Sequence, residues 1–298
     1  MTKSLFAAIM GRANTGKSTL MNKILGEKVS IVSSKPQTTR NRINGILTKE
    51  EVQYVFIDTP GIHKPHDKLG SFMMRTANAA SSGIDVVLYI AEAGDRIGPI
   101  EESVIDRFNA NDIPCVLLVN KTDIHTPKEI GDTILAFSTR FKFDAVIPIS
   151  AKTGENVQII FDEIDKYALE GEWFFPDDII TDLSESTYIS EIIREKILLT
   201  MNDEVPHGVA VTIEEMKETS KLLSVRAEIY CEKASHKPMI IGKKGSRIKE
   251  IGTMAREDLE KFFGIKVFLD LYVRVKENWR ENEMTVRSLG FKNEETDG

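Results

Sequence analysis

Residues Gly11-Arg-Ala-Asn-Thr-Gly-Lys-Ser18 fit the pattern GxxxxGK[ST] and stand between a short apolar run, Leu5–Met10, and a helical stretch, Lys17–Leu25. No other feature restricts the fold as tightly, because the pattern works only where a strand turns abruptly into a helix. Its glycines let the backbone curl until successive N–H groups point inward at phosphate oxygens. The helix start adds positive dipole. Gly11, Arg12, Ala13, Asn14, Thr15, Gly16, Lys17, Ser18 and Thr19 would cradle a polyphosphate. Lys17 is placed to reach the β- and γ-phosphates and Ser18 to ligand Mg2+.

The first 170 or so residues continue the alternation that this motif begins. Apolar runs at Ile43–Thr48, Val52–Asp58, Val86–Glu92, Cys115–Asn120 and Ala145–Ser150 read as strands covered on both faces. Helical patterns fall near Gly70–Ala80, Ile100–Asn111, Pro127–Phe141 and Val157–Ala168. Such alternation predicts a doubly wound, mostly parallel sheet. Ile43–Thr48 and Val52–Asp58 lie too close for a crossover helix, so they predict a hairpin with one antiparallel edge strand. Residues 170–184 hold Gly171, Pro176 and five acidic residues and read as a linker partly pinned by Trp173, Phe174 and Phe175. From residue 185 the order changes to helix, two strands, helix, helix, strand, an α+β domain expected to end near 291 before a polar, mobile tail at 292–298.

Three segments at strand ends complete the first site, since open α/β sheets bind ligands at the carboxyl ends of their strands. Asp58-Thr-Pro-Gly61 offers a carboxylate for Mg2+, held through water, and the Gly61 N–H for a γ-phosphate. Asn120-Lys-Thr-Asp123 offers an acceptor in Asp123. Guanine presents two adjacent donors, N1–H and the exocyclic amine, and adenine presents neither, so one carboxylate can separate GTP from ATP. The Lys121 stem can lie along the base. In Ser150-Ala-Lys152 the Ala151 N–H can meet guanine O6. All four segments, in order and each at a strand end, resemble the P-loop GTPases. GTP or GDP is then the expected ligand, with Mg2+.

Against that resemblance, the residue after Gly61 is Ile62 where Ras-like enzymes carry a glutamine that orients the attacking water. Slow intrinsic hydrolysis is expected. Asn14 is a candidate K+ ligand, as in some related GTPases, or a hydrogen-bonding residue of its own loop. In Gln37-Thr-Thr-Arg40, Thr39, with Thr38 next, is the switch threonine expected to ligand Mg2+ when the γ-phosphate is present. His63 and His66 form an HxxH without an evident third metal ligand.

The net charge of −7 argues against a polyanionic partner, but the distribution argues for one. Residues 237–276 hold ten Lys and Arg against five Asp and Glu, a local +5 that leaves −12 on the rest. Within this stretch, Met239-Ile-Ile-Gly-Lys-Lys-Gly245 contains a GxxG that resembles the loop of a KH domain, of type II by its element order. Such a loop clamps a single-stranded nucleic-acid backbone. Candidate RNA contacts are Ile240, Ile241, Gly242, Lys243, Lys244, Gly245, Arg247 and Lys249, with Lys237 flanking; Ile240, Ile241, Ile248 and Ile251 would line the base groove or sit in the core.

The pairing of these domains, with Gln37-Thr-Thr-Arg40, Asp58-Thr-Pro-Gly-Ile-His63, Glu191-Ile-Ile-Arg-Glu-Lys196 and Asn278-Trp-Arg280, resembles the bacterial Era GTPases from about Leu5 to Phe291. Ala13 stands where a proline is usual and Thr15 where valine or alanine is common. The resemblance implies a switch that binds small-subunit ribosomal RNA near its 3′ end and acts in 30S maturation. It also implies a cytoplasmic location with some peripheral contact to the inner membrane face. A monomer is expected, and no apolar run is longer than Val86–Ala91, which excludes a spanning helix. Two cysteines, Cys115 and Cys231, one in each half, argue against a disulfide framework. Two rivals stay open: a non-enzymatic module whose GxxG serves protein contacts, and a GTPase of RNA modification.

Overall fold

A computed structural model describes residues 1–61, 67–79, 83–95, 97–202 and 204–291. Ile62, His63, His66 and the expected tail at 292–298 lie outside these residues. The chain forms two compact units, Met1–Lys64 with Met73–Asp182, and Pro65–Phe72 with Leu183–Gly298.

In the first unit the elements run β1 (Lys3–Met10), α1 (Lys17–Leu25), β2 (Ile43–Lys49), β3 (Val52–Asp58), α2 (Lys68–Ala79, which begins in residues grouped with the second unit), β4 (Val86–Glu92), α3 (Pro99–Ala110), β5 (Cys115–Asn120), α4 (Pro127–Ser138), β6 (Ala145–Pro148), α5 (Val157–Ile164) and β7 (Leu169–Glu170). The sheet order is β2-β3-β1-β4-β5-β6, with β7 on the free start of β1. β2 is antiparallel to β3 and the strands from β3 to β6 are parallel, so the expected antiparallel edge strand is present. Every residue of β5 is buried, as covering on both faces requires. One side of the sheet closes over Met10, Tyr89, Ile105, Phe108 and Phe137, which brings α3 and α4 onto β1, β4 and β5. α4 starts on a capping box, Thr126 with Glu129, and has Pro127 at its first position. β6 stops at Pro148, two residues before the expected end; beyond it, Ile149 N–H donates to Val119 O at 2.8 Å and Ile149 O accepts from Thr122 N–H at 3.2 Å.

The segment expected to be a linker is fastened to the sheet up to residue 182. β7 pairs with β1, Phe174 packs edge-on against Phe6 at 4.9 Å, and the buried Gln53 side chain accepts from the Phe174 and Phe175 N–H groups at 2.9 and 3.0 Å. Ile180 O accepts from Ile46 N–H, and Thr181 bridges Gly45 on the outer edge of β2. Composition misleads here because acidic side chains face solvent while the backbone satisfies an exposed strand edge.

The second unit contains α6 (Glu185–Thr200), β8 (Val209–Glu218), β9 (Leu222–Cys231), α7 (His236–Ile241), α8 (Ser246–Phe263), β10 (Lys266–Val275) and α9 (Glu283–Ser288). Its sheet order is β10-β9-β8, with β8 antiparallel and β10 parallel to β9. α6 buries charge as well as apolar side chains. Arg194 grips Glu191 through two hydrogen bonds, and Lys196 bonds both Glu195 and Asp258 of α8. Trp279, 1% exposed, donates to Gly208 O at 2.9 Å and stacks on Phe291, while Arg280 pairs with Glu232. The Glu191–Lys196 and Asn278–Arg280 motifs therefore build the core of this unit.

Candidate nucleotide site and nucleic-acid groove

β1 delivers the phosphate loop and α1 carries it onward. Lys17 is buried, and its ammonium donates to Arg12 O at 2.6 Å and Gly11 O at 3.1 Å. Burial pulls its pKa down to about 8, opposed by the nearby Asp58 carboxylate. Arg12 takes part through this carbonyl, because its guanidinium pairs with Glu101 of α3. Asn14, with φ of 67°, reaches out of its own loop and donates to Ser34 O at 2.8 Å.

β3 ends in Asp58, which is fully buried. Its Oδ2 accepts from Ser18 Oγ at 2.7 Å, Ser30 Oγ at 2.7 Å and Thr39 Oγ1 at 3.4 Å, and Ser18 and Thr39 lie 2.9 Å apart. The expected metal ligands Ser18, Thr39 and Asp58 are thus brought into one cluster. Thr38 is not part of it: its hydroxyl donates to Lys35 O at 2.6 Å. Asp58 Oδ1 is buried with no hydrogen-bond partner among the described residues. The Asp58 carboxylate, with the Ser18 and Thr39 hydroxyls on its Oδ2, is an all-oxygen donor set that fits hydrated Mg2+, since Mg2+ favours oxygen ligands and keeps its waters. Burial raises the Asp58 pKa, opposed by Lys17 and the three hydroxyls. A bound cation would reverse that direction.

Gly61 rests directly on the phosphate loop. A Cβ there would fall 2.8 Å from Ala13 Cα and N, so no larger residue fits without displacing backbone. A cavity of about 350 Å³ opens over Gly16, Lys17, Ser18, Thr19, Thr39 and Gly61 and extends to Lys121.

The base end is held by Asn120, whose amide donates to Thr15 O at 2.7 Å while its oxygen accepts from Ala151 N–H at 2.9 Å. The amide expected to meet guanine O6 is therefore already engaged, and a base oxygen would have to share it. Ser150 Oγ donates to Asp123 Oδ1 at 2.8 Å and so orients the exposed carboxylate. Lys152 is exposed beside it. Residues absent from every motif also reach this site: Ser30, Asn22 and Glu101. The capping geometry of α3 was the one local signal for Glu101, since its carboxylate accepts from Gly98 N–H.

In the second unit the GxxG turn joins α7 to α8. Gly242 has φ of 75°, and a Cβ on it would meet Arg247 N and Cβ at 2.7 Å. Lys243 and Lys244 are exposed, Gly245 is half-buried at the start of α8, and Lys249 is exposed one turn on. A cavity of about 330 Å³ lies between α8 and β10 and is lined by Ile248, Lys249, Gly252, Arg256, Phe268 and Leu271. Gly252 and Arg256 follow Ile248 at intervals of four, the helical signal that would have found them. One expectation is corrected: Ile240, named among the RNA contacts, is 0% exposed and belongs to the core, with His236 on the buried face of the short helix α7. Ile251 is 0% exposed too, which is the core alternative of the two left open for it. Arg247 spends a guanidinium N–H on Thr200 O at 3.1 Å, holding the end of α6. Ile241 is half-buried.

Comparison with known proteins agrees with this division. Residues 6–121 match the family model described as 50S ribosome-binding GTPase, and residues 204–280 match the KH domain model. The GTPase Era of Clostridium kluyveri is 46% identical over 293 residues, covering 98% of this chain and 100% of that protein. The GTPase Era of Caldicellulosiruptor saccharolyticus is 47% identical over 292 residues, covering 97% of each. Among solved structures, Era in complex with MgGDPNP and nucleotides 1506–1542 of 16S ribosomal RNA superposes with a TM-score of 0.92 at 38% identity, covering 98% of this chain and 100% of that one. A variant of Aquifex aeolicus Era bound to GDP.AlF4- gives the same values. Identity of this extent, over nearly the whole length and both domains, makes this chain a member of the Era family of GTPases.

Proposed function

We propose that the protein is a GTP-driven switch whose KH domain binds the 3′ region of small-subunit ribosomal RNA during 30S assembly. The observation that carries this is the convergence, in one unit, of Lys17, Ser18, Thr39 and Asp58 below a base site built from Asn120, Asp123 and Ser150. Ser18, Thr39 and Asp58 would hold Mg2+, which supplies positive charge against the phosphates when bound. Lys17 places a buried cation toward the β- and γ-phosphates, and the loop amides offset charge that spreads over the transferred group. Asp123 selects guanine. Support for the RNA ligand comes from the basic GKKG turn, the groove beside it, and the ribosomal RNA bound to the similar Era structure.

The coupling between nucleotide and RNA is read as an ordering of the loop that carries Thr39. That loop runs into β2, and β2 holds residues 180–182: Thr181 Oγ1 donates to Asn44 O at 2.8 Å and Asn44 Nδ2 to Asp182 Oδ2 at 2.6 Å. The chain then enters α6. Ile62 leaves the attacking water without a side-chain partner of the Ras type, and slow turnover follows from that. K+ near Asn14 and Ser34 is the proposed substitute charge. Turnover in matched KCl and NaCl should then differ by about tenfold or more, since charge placed at the transition state is worth at least that much; equal rates remove K+ from the account. A monomer acting in the cytoplasm, with a peripheral contact to a membrane face, completes the reading. Among the described residues no helix is long and apolar enough to cross a membrane.

Titration calorimetry with GTP and ATP in the presence of magnesium tests the whole reading. GTP should bind at least ~1,000-fold more tightly, because a site built around hydrogen bonds to the base rejects one that lacks them. Equal heats for both nucleotides, or none for GTP, would refute it. The rival of a purely structural nucleotide pocket is disfavoured by the buried, orphaned Asp58 oxygen, which a structural pocket has no reason to keep.

A further inference from the structure

Asp58 receives three hydroxyls on one oxygen, and they are not equivalent. Ser18 belongs to the phosphate loop and Thr39 to the switch loop; both are residues that the metal and the nucleotide engage. Ser30 is neither. It is 0% exposed, and its hydroxyl donates to Asp58 Oδ2 at 2.7 Å.

Ser30 is also held by a device of its own. The Asn22 side chain donates to Ser30 O at 2.7 Å, and its oxygen accepts from Ser30 N–H at 2.8 Å and Val29 N–H at 3.0 Å. One amide thereby engages both N–H groups of residues 29–30 and the Ser30 carbonyl. Asn22 lies four residues after Ser18 in α1, on the same helical face. The helix therefore sets the spacing between a proposed metal ligand and the clamp on Ser30. With Ser30 donating to Oδ2 beside Ser18 and Thr39, the orientation of the carboxylate toward the two hydroxyls is fixed.

We propose that Ser30, clamped by Asn22, is a positioning residue that presets Asp58 for magnesium in every nucleotide state. The inference rests on the GTP-magnesium reading above. Thr39 leaves the cluster when the far part of the loop opens, whereas Ser30, at the near end of that loop, is tied to α1 by Asn22 and stays. The switch loop can then move without the carboxylate losing its orientation, and the site retains affinity for the cation when the γ-phosphate is gone.

The test measures release of fluorescent GDP from the full-length protein as a function of Mg2+ concentration, with release in EDTA as the metal-free limit. Ser30→Ala should shift the Mg2+ midpoint upward about tenfold, the lower range expected for losing one hydrogen bond to a charged group. The rate in EDTA should stay within about twofold of wild type, because the phosphate loop and base site are untouched. Asn22→Ala should shift the midpoint in the same direction, and Ser30→Cys, nearly isosteric with a weak donor, should fall between. A residue of merely structural importance would instead change the EDTA rate along with the midpoint. An unchanged midpoint in Ser30→Ala or Ser30→Cys, with GDP release by the wild type slowed by Mg2+, would overturn the proposal. Wild-type release indifferent to Mg2+ would overturn the functional reading beneath it.

Discussion

Asp123→Asn is expected to lower GTP affinity by ~100- to 1,000-fold while improving affinity for XTP. Guanine offers two donors to a carboxylate that offers two acceptors. An asparagine keeps one acceptor and replaces the other with a donor, which opposes the exocyclic amine of guanine and matches the C2 carbonyl of xanthine. Ser150 makes the direction of this change readable. Its hydroxyl donates to Asp123 Oδ1, so the amide oxygen of the variant should remain there and the NH2 group should take the place of Oδ2. Hydrogen bonds to charged groups contribute about 1.5–3 kcal/mol each, and every ~1.4 kcal/mol is tenfold in affinity. Competition of GTP and XTP against labelled GDP measures both effects. GTP affinity within threefold of wild type would mean that Asp123 does not read the base.

The second large effect concerns the other domain. Lys243→Asp with Lys244→Asp should weaken binding of a single-stranded RNA from the small-subunit 3′ end by about 100-fold at moderate salt. Both lysines are exposed on the turn between Gly242 and Gly245. Each phosphate contact on a single strand contributes about 0.7 to the slope of log affinity against log salt, so the pair should flatten that slope by about 1.4. GTP affinity should not change, because every residue of the nucleotide site belongs to the first unit. Filter binding across a salt series with parallel nucleotide titrations separates these outcomes. Preserved RNA affinity would favour a protein-binding role for the GKKG turn.

Much of the nucleotide site was readable from local chemistry. Val52–Asp58, Val86–Glu92 and Cys115–Asn120 have the bounds expected from their apolar runs, and each phosphate or base segment sits at the strand end where its residue types belong. A glycine-rich turn, a hydroxyl beside a lysine and a carboxylate after a buried strand each announce themselves within a few residues. Of the two threonines, the Thr39 hydroxyl lies beside Ser18 and Asp58, while the Thr38 hydroxyl donates to Lys35 O.

Other parts had no local signature. Ser30 and Asn22 are ordinary polar residues in the chain, and they acquire meaning only when α1, the following loop and β3 meet at Asp58. Residues 170–182 look like a tether because acidic composition describes what side chains do toward water, while their backbone is consumed by the edges of β1 and β2. Ile240 of α7 and Ile248 of α8 are equally apolar, yet one is core and the other lines the groove, since the face that each helix buries is set by packing. Periodicity and motif spacing, both short-range properties of the backbone, thus specified the elements and the ligand chemistry. Which side chains share a carboxylate, a clamp or a groove was settled by long-range packing, which depends on contacts between segments far apart in the chain.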